Sequence, residues 1–72
     1  MNIKLPLTKK QNEVYKKLMR FISKNGYSPT VRELQKEIKA SSQSIVFEYL
    51  ERLQSKGWIS KERYSQRSIK IK

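Results

Sequence analysis

After Gly57 the spacing of apolar residues in this chain changes. Before it they recur every three or four positions. Val14, Leu18, Phe21 and Ile22 do so with Tyr15 and Met19 beside them, then Val31, Leu34 and Ile38, then Val46, Tyr49, Leu50 and Leu53. After it, in WISKERYSQRSIKIK, Ile59, Lys61 and Arg63 stand at alternate positions, as do Ile69 and Ile71, on either side of YSQ. A period near 3.6 buries one face of a helix, and a period of two buries one face of a strand. The spacing therefore predicts three helices followed by a two-stranded hairpin. Seventy-two residues allow one domain, near the size at which a single core is only marginally stable.

The punctuation agrees with that order. Residues 1–7, opening MNIKLP, read as a loose lead-in. Thr8 stands three residues before Gln11, the spacing of a reciprocal helix cap, and opens a first helix over 8–25 that Asn25-Gly26 ends. In YSPT, Pro29 prevents the first helix from continuing. Thr30 and Glu33 then make a second capping box for a short helix over 30–39. Ala40 and Ser41 interrupt the chain, and Ser41, Ser42 or Ser44 can cap a third helix over 42–56, closed by Gly57. The hairpin occupies 58–71; its turn contains neither Gly nor Asn, so its type is open. A mainly α chain with three helices and a two-stranded wing has the winged helix-turn-helix layout, its second and third helices forming the turn motif.

Charge is distributed along the chain in a way that suggests a partner. The net charge is +11. Residues 1–24 carry seven Lys/Arg against one Glu, residues 25–51 three against four, and residues 52–72 seven against one. Two basic ends around a near-neutral middle suit a surface that grips a polyanion on both sides of a reading element. Cysteine and histidine are both absent, which excludes a disulfide framework, thiolate or imidazole metal sites and a histidine general base. No apolar run is long enough for a membrane span or a signal-peptide core. The six carboxylates form no catalytic motif, and no glycine loop cradles a phosphate. We expect no enzyme, no catalytic residue, no metal and no cofactor, and a cytoplasmic location.

Three stretches then carry a resemblance. LTKKQNEVYKKLMRFISKNGYSPTVREL, SSQSIVFEYLERLQSKGWI and RSIKI, from Leu7 to Ile71 without gaps, resemble the N-terminal DNA-binding domain of the LexA family of bacterial repressors. GYSPTVREL and LERLQSKGWI are the most specific pieces. The resemblance implies a winged helix-turn-helix and double-stranded DNA as partner, and it places Ser42, Ser44, Ile45, Phe47 and Glu48 toward the groove and Arg67 on the wing. LexA proteins continue into a serine–lysine peptidase domain that dimerises and cleaves the chain. This sequence stops at Lys72, so neither self-cleavage nor that dimer interface carries over; the chain reads as a stand-alone or truncated regulator, of the kind phages and mobile elements carry, or as one piece of a longer repressor. Lys39 stands where the family usually has glycine. Tyr49 and Phe47 replace residues that are often small or polar there, so the DNA sequence read by the family does not carry over.

The residues themselves give a compatible account. The N-terminal end of a helix inserted in the major groove reaches base edges first, which here means Ser41, Ser42, Gln43 and Ser44, then Ile45 and Glu48 one turn on. Gln43 can pair with adenine, Glu48 can accept from a cytosine amine, and Ile45 can touch thymine methyls. For the serines, helix capping is the plain alternative; for Gln43 and Glu48 it is a solvated helix face. Lys9, Lys10, Arg52, Lys61, Arg63, Arg67 and Lys70 are the phosphate candidates, although any one of these taken alone reads as solvated surface. Trp58 and Tyr49 read as core residues rather than base-stacking groups.

Ile45, Val46 and Phe47 pose a particular problem, because three adjacent helical positions fan over roughly 200°. With Val46 in the core, Ile45 falls on the side of Glu48 and Arg52, and Phe47 on the side of Glu51 and Gln54. Phe47 can form the rim of the core, enter the groove or meet a protein partner. The competing functions are thus a docking module acting through Ile45 and Phe47, and a nonspecific nucleic-acid binder. One such domain reads a half-site, so a second copy on a two-half-site operator is a further expected partner.

Overall fold

The computed structural model describes residues 4–62 and 67–72. Three helices, α1 (Lys9–Asn25), α2 (Val31–Ile38) and α3 (Gln43–Ser55), precede two strands, β1 (Ile59–Ser60) and β2 (Lys70–Ile71). The strands pair antiparallel, with Ile59 opposite Ile71 and Ser60 opposite Lys70. This is a mainly helical winged helix-turn-helix. Arg63 and the YSQ turn lie outside the described residues.

Side-chain chemistry starts the first two helices. The hydroxyls of Thr8 and Thr30 accept from the backbone N–H groups of Gln11 and Glu33, while the side chains of Gln11 and Glu33 accept from the backbone N–H groups of Thr8 and Thr30. Each box satisfies two of the donors that a helix start leaves free. The first helix ends at Gly26 in the left-handed conformation, its N–H donating to the Ile22 carbonyl.

The second and third helices close in the same way, with different residues. At the end of α3, Gly57 (φ 87°) is followed by Trp58, whose N–H reaches the Leu53 carbonyl. At the end of α2, Lys39 (φ 56°, ψ 39°) is followed by Ala40, whose N–H reaches the Gln35 carbonyl. Both are six-residue closures that require a left-handed residue in the penultimate place. The turn between α2 and α3 is therefore closed by a lysine in the left-handed place that Gly57 fills after α3. The Gln35 amide reinforces it by donating to the Ala40 carbonyl at 3.3 Å.

The core lies where the three helices meet the hairpin. Val14, Tyr15 and Leu18 from α1, Leu34 from α2, Val46, Leu50 and Leu53 from α3, and Ile59 and Ile69 from the hairpin form one buried cluster. Val31, Ile38, Ile22, Tyr49 and Trp58 pack around it. Met19, one position past Leu18, turns about 100° away from the core and is exposed. Tyr49 and Trp58 thus belong to the core margin.

The lead-in is tied down at Lys4 and Leu5. Leu5 N–H donates to the Lys56 carbonyl at 3.0 Å, and the Trp58 indole N–H donates to the Leu5 carbonyl at 2.6 Å. Trp58 also meets Tyr15 edge-on, with ring centroids 5.2 Å apart. Lys4 lies over the indole and donates to the carbonyl of Lys72 at 2.8 Å. These contacts differ from the expectation of a loose segment. A short, proline-containing segment of mixed polarity gives no periodic signal, so its partners become visible only once the chain has folded.

Candidate nucleic-acid interface

The start of α3 is polar and uncommitted. Ser42 occupies the N-cap position with extended backbone, yet its side chain makes no cap hydrogen bond. Capping is therefore not what occupies the Ser42 hydroxyl. Neither Ser41, Gln43 nor Ser44 uses its side chain in a hydrogen bond among the described residues. Ser41, Gln43 and Ser44 are exposed and Ser42 is half-buried. Four short polar side chains are thus available at the end of the helix where unpaired N–H groups also point outward.

Around the helix axis the remaining candidates separate to two sides of the buried stripe. On one side Ile45, Glu48, Tyr49 and Arg52, with Gln11 of α1, line a groove of about 330 Å³. An adjoining groove of about 360 Å³ shares Ile45 and Tyr49 and brings in Lys10, Lys17, Lys39 and Ser41. On the other side, Phe47 stays 43% exposed, and the Lys61 ammonium lies 5.1 Å from the centre of its ring. Ile45 is half-buried along the groove with α1, whereas Phe47 bridges α3 and the start of the wing. The three adjacent apolar residues therefore serve three surfaces.

The cations form shoulders to this face. Lys9 and Lys10 are exposed in the first turn of α1, and Lys10 shares the groove with Lys39 and Ser41. Lys39 was singled out in the sequence for its backbone and not for its charge. Its position in a turn between helices is the signal that would have placed it here. Arg52 lies along the same groove system, while Lys61 and Lys70 sit on the hairpin. Among the described residues, none of Lys9, Lys10, Arg52, Lys61 and Lys70 is within ion-pair distance of a carboxylate.

Arg67 differs from this set. Its guanidinium meets the Glu33 carboxylate at 2.8 and 3.1 Å, donates to the Ser28 carbonyl at 3.0 Å and lies 4.5 Å from the Tyr27 ring centre. The Thr30 backbone N–H, followed by Arg67, holds the Glu33 carboxyl below its usual range. The wing arginine is consequently paired with a carboxylate from the start of α2, a partner that sequence spacing does not reveal.

No helix among the described residues is long and apolar enough to cross a membrane. Residues 4–68 match the family described as the LexA DNA binding domain. LexA repressors from Herpetosiphon aurantiacus and Staphylococcus carnosus are each 38% identical to this chain over 65 residues, and one from Staphylococcus epidermidis is 37% identical over the same length. These alignments cover 90% of this chain and 30–32% of the relatives, so the chain spans about a third of the length of the proteins it matches. The match coincides with the fold and with the uncommitted polar end of α3. The chain belongs to the LexA DNA-binding domain family.

Proposed function

We propose that this chain binds double-stranded DNA in a sequence-specific manner, as the operator-reading part of a LexA-like transcriptional regulator in the cytoplasm. In this reading α3 enters the major groove and presents Ser41, Ser42, Gln43, Ser44, Ile45, Phe47 and Glu48 toward base edges. Lys9, Lys10, Arg52, Lys61, Arg63 and Lys70 approach the phosphates on either side, and Arg67 joins or positions them. The observation that carries the proposal is the row of polar side chains at the start of α3, free of hydrogen bonds and flanked by unpaired lysines among the described residues. Unsatisfied donors and acceptors on a rigid element are what base recognition requires.

Two copies on a pair of half-sites are expected, since one inserted helix covers only one. A docking role for Ile45 and Phe47 has less support. Ile45 and Phe47 lie on different flanks of the buried stripe, Ile45 in a groove shared with Lys10 and Lys39 and Phe47 beside Lys61, so they do not form one apolar patch. Selection of bound duplexes from a random pool tests the proposal. A specific regulator prefers its selected site over random duplex by about 1000-fold or more at physiological salt. Near-equal affinities would leave a nonspecific binder.

A further inference from the structure

The hairpin is short. Two residue pairs, Ile59–Ile71 and Ser60–Lys70, make up its ladder, and a ladder of this size does not hold an orientation by itself. Beyond it the Ser68 hydroxyl accepts from the Glu62 N–H at 3.2 Å and donates to the Glu62 carbonyl at 3.1 Å. That ties the two arms to each other but not to the helices. The contacts of Arg67 supply a tie to the helices. One guanidinium nitrogen reaches the Ser28 carbonyl and one Glu33 oxygen, and a second reaches the other Glu33 oxygen. Glu33 is itself held by the Thr30 N–H, so the cap of α2 fixes the carboxylate that receives the arginine. Tyr27 lies under the guanidinium and meets Phe21 of α1 edge-on at 5.9 Å.

We infer that Arg67 and Glu33 form a latch that sets the wing against the helix-turn-helix, making Arg67 a positioning residue for the wing lysines Lys61 and Lys70 rather than a phosphate ligand. A phosphate at Arg67 would have to compete with the Glu33 carboxylate already there, and a bidentate arginine–carboxylate pair has both geometry and charge satisfied. The backbone agrees. Arg67 has φ 54°, a left-handed conformation that a side chain adopts at a cost and that persists where surrounding contacts determine it. The inference rests on the DNA-binding reading for its consequence, but not for its geometry.

The test compares Glu33→Gln, Arg67→Gln and the double variant. Glutamine at position 33 keeps the capping box and removes the charge that holds the arginine. A latch requires both single variants to weaken binding to the selected duplex in the same direction, roughly fivefold each, with the double variant no worse than either single one. A phosphate-binding Arg67 gives opposite signs. Arg67→Gln then weakens binding, while Glu33→Gln, which removes a negative charge near DNA, tightens it or leaves it alone. That outcome overturns the inference. Without DNA, the backbone amide resonances of Ile69 and Lys70 should move in both single variants. Unmoved resonances overturn the latch whatever the duplex result. A protein that binds no duplex, yet whose Ile69 and Lys70 amides move in both variants, refutes the proposed function and leaves the latch standing.

Discussion

The ammonium of Lys61 rests 5.1 Å from the centre of the Phe47 ring, joining the first residue beyond β1 to the outer flank of α3. An exposed aromatic is here the seat of a cation from another element. Replacing Phe47 with leucine keeps most of the apolar cover but removes the ring, and should cost about 0.5–1 kcal/mol in urea unfolding. Leu50→Ala, at a fully buried position, should cost about 2–5 kcal/mol. A Phe47→Leu loss as large as that of Leu50→Ala would put Phe47 in the core.

Lys39 carries the strain of a left-handed residue where α3 uses Gly57 for the same closure. The conformation costs a side-chain-bearing residue about 1–2 kcal/mol, and glycine gives back about 0.5–1 kcal/mol through the entropy of the unfolded chain. Lys39→Gly should therefore stabilise the fold by about 0.5–1 kcal/mol, raising the melting temperature by several degrees. Lys39→Ala should not. Thermal melts of the two variants side by side decide the matter.

The proposed base-reading and phosphate-binding residues should fail differently. Ser44→Ala and Gln43→Ala should narrow the gap between selected and random duplexes, each by a factor equivalent to about 1–3 kcal/mol at most. Lys10→Ala should weaken all duplexes alike and lower the log–log salt slope by about 0.9. Titrations of both duplex types at several salt concentrations separate the two classes. Uniform losses from the α3 variants would remove the assigned division of labour.

Acid should release the wing before it unfolds the core. The Thr30 N–H and Arg67 lower the Glu33 pKa in the folded chain. Its contribution is thus fully present above the carboxylate's unfolded value, about 4.3. It is lost as pH falls through the lower folded value. The Lys70 and Ile71 amides should hold steady at neutral pH and shift only as pH falls below the carboxylate's unfolded value. In Glu33→Gln that shift should be absent. A nuclear magnetic resonance titration reads both.

Local rules made much of the fold legible. Thr8 with Gln11 and Thr30 with Glu33 announce helix starts because capping needs only residues three apart, and Gly26 and Gly57 announce ends for a similar reason. The apolar periods of α1, α2 and α3 mark Leu18, Leu34 and Leu50 as core because one face of a helix is defined by spacing alone. The pairings that depend on distant chain could not be read this way. Arg67 finds Glu33 and Ser28 across more than thirty residues, and Leu5 finds Trp58 across fifty-three. At the proposed interface the sequence identified which residue types stand at the start of α3. The absence of a Ser42 cap bond, the division of Ile45 and Phe47 between two surfaces and the entry of Lys39 into the groove all required three-dimensional placement.

The single tryptophan stands where the amino-terminal segment, α1 and the hairpin converge, edge-on to Tyr15 and hydrogen-bonded to Leu5. It is therefore a built-in optical gauge. Peeling residues 4–7 away would hydrate the indole and redden its emission while helical circular dichroism stayed constant, so one cuvette can tell a detached strap from a melted domain.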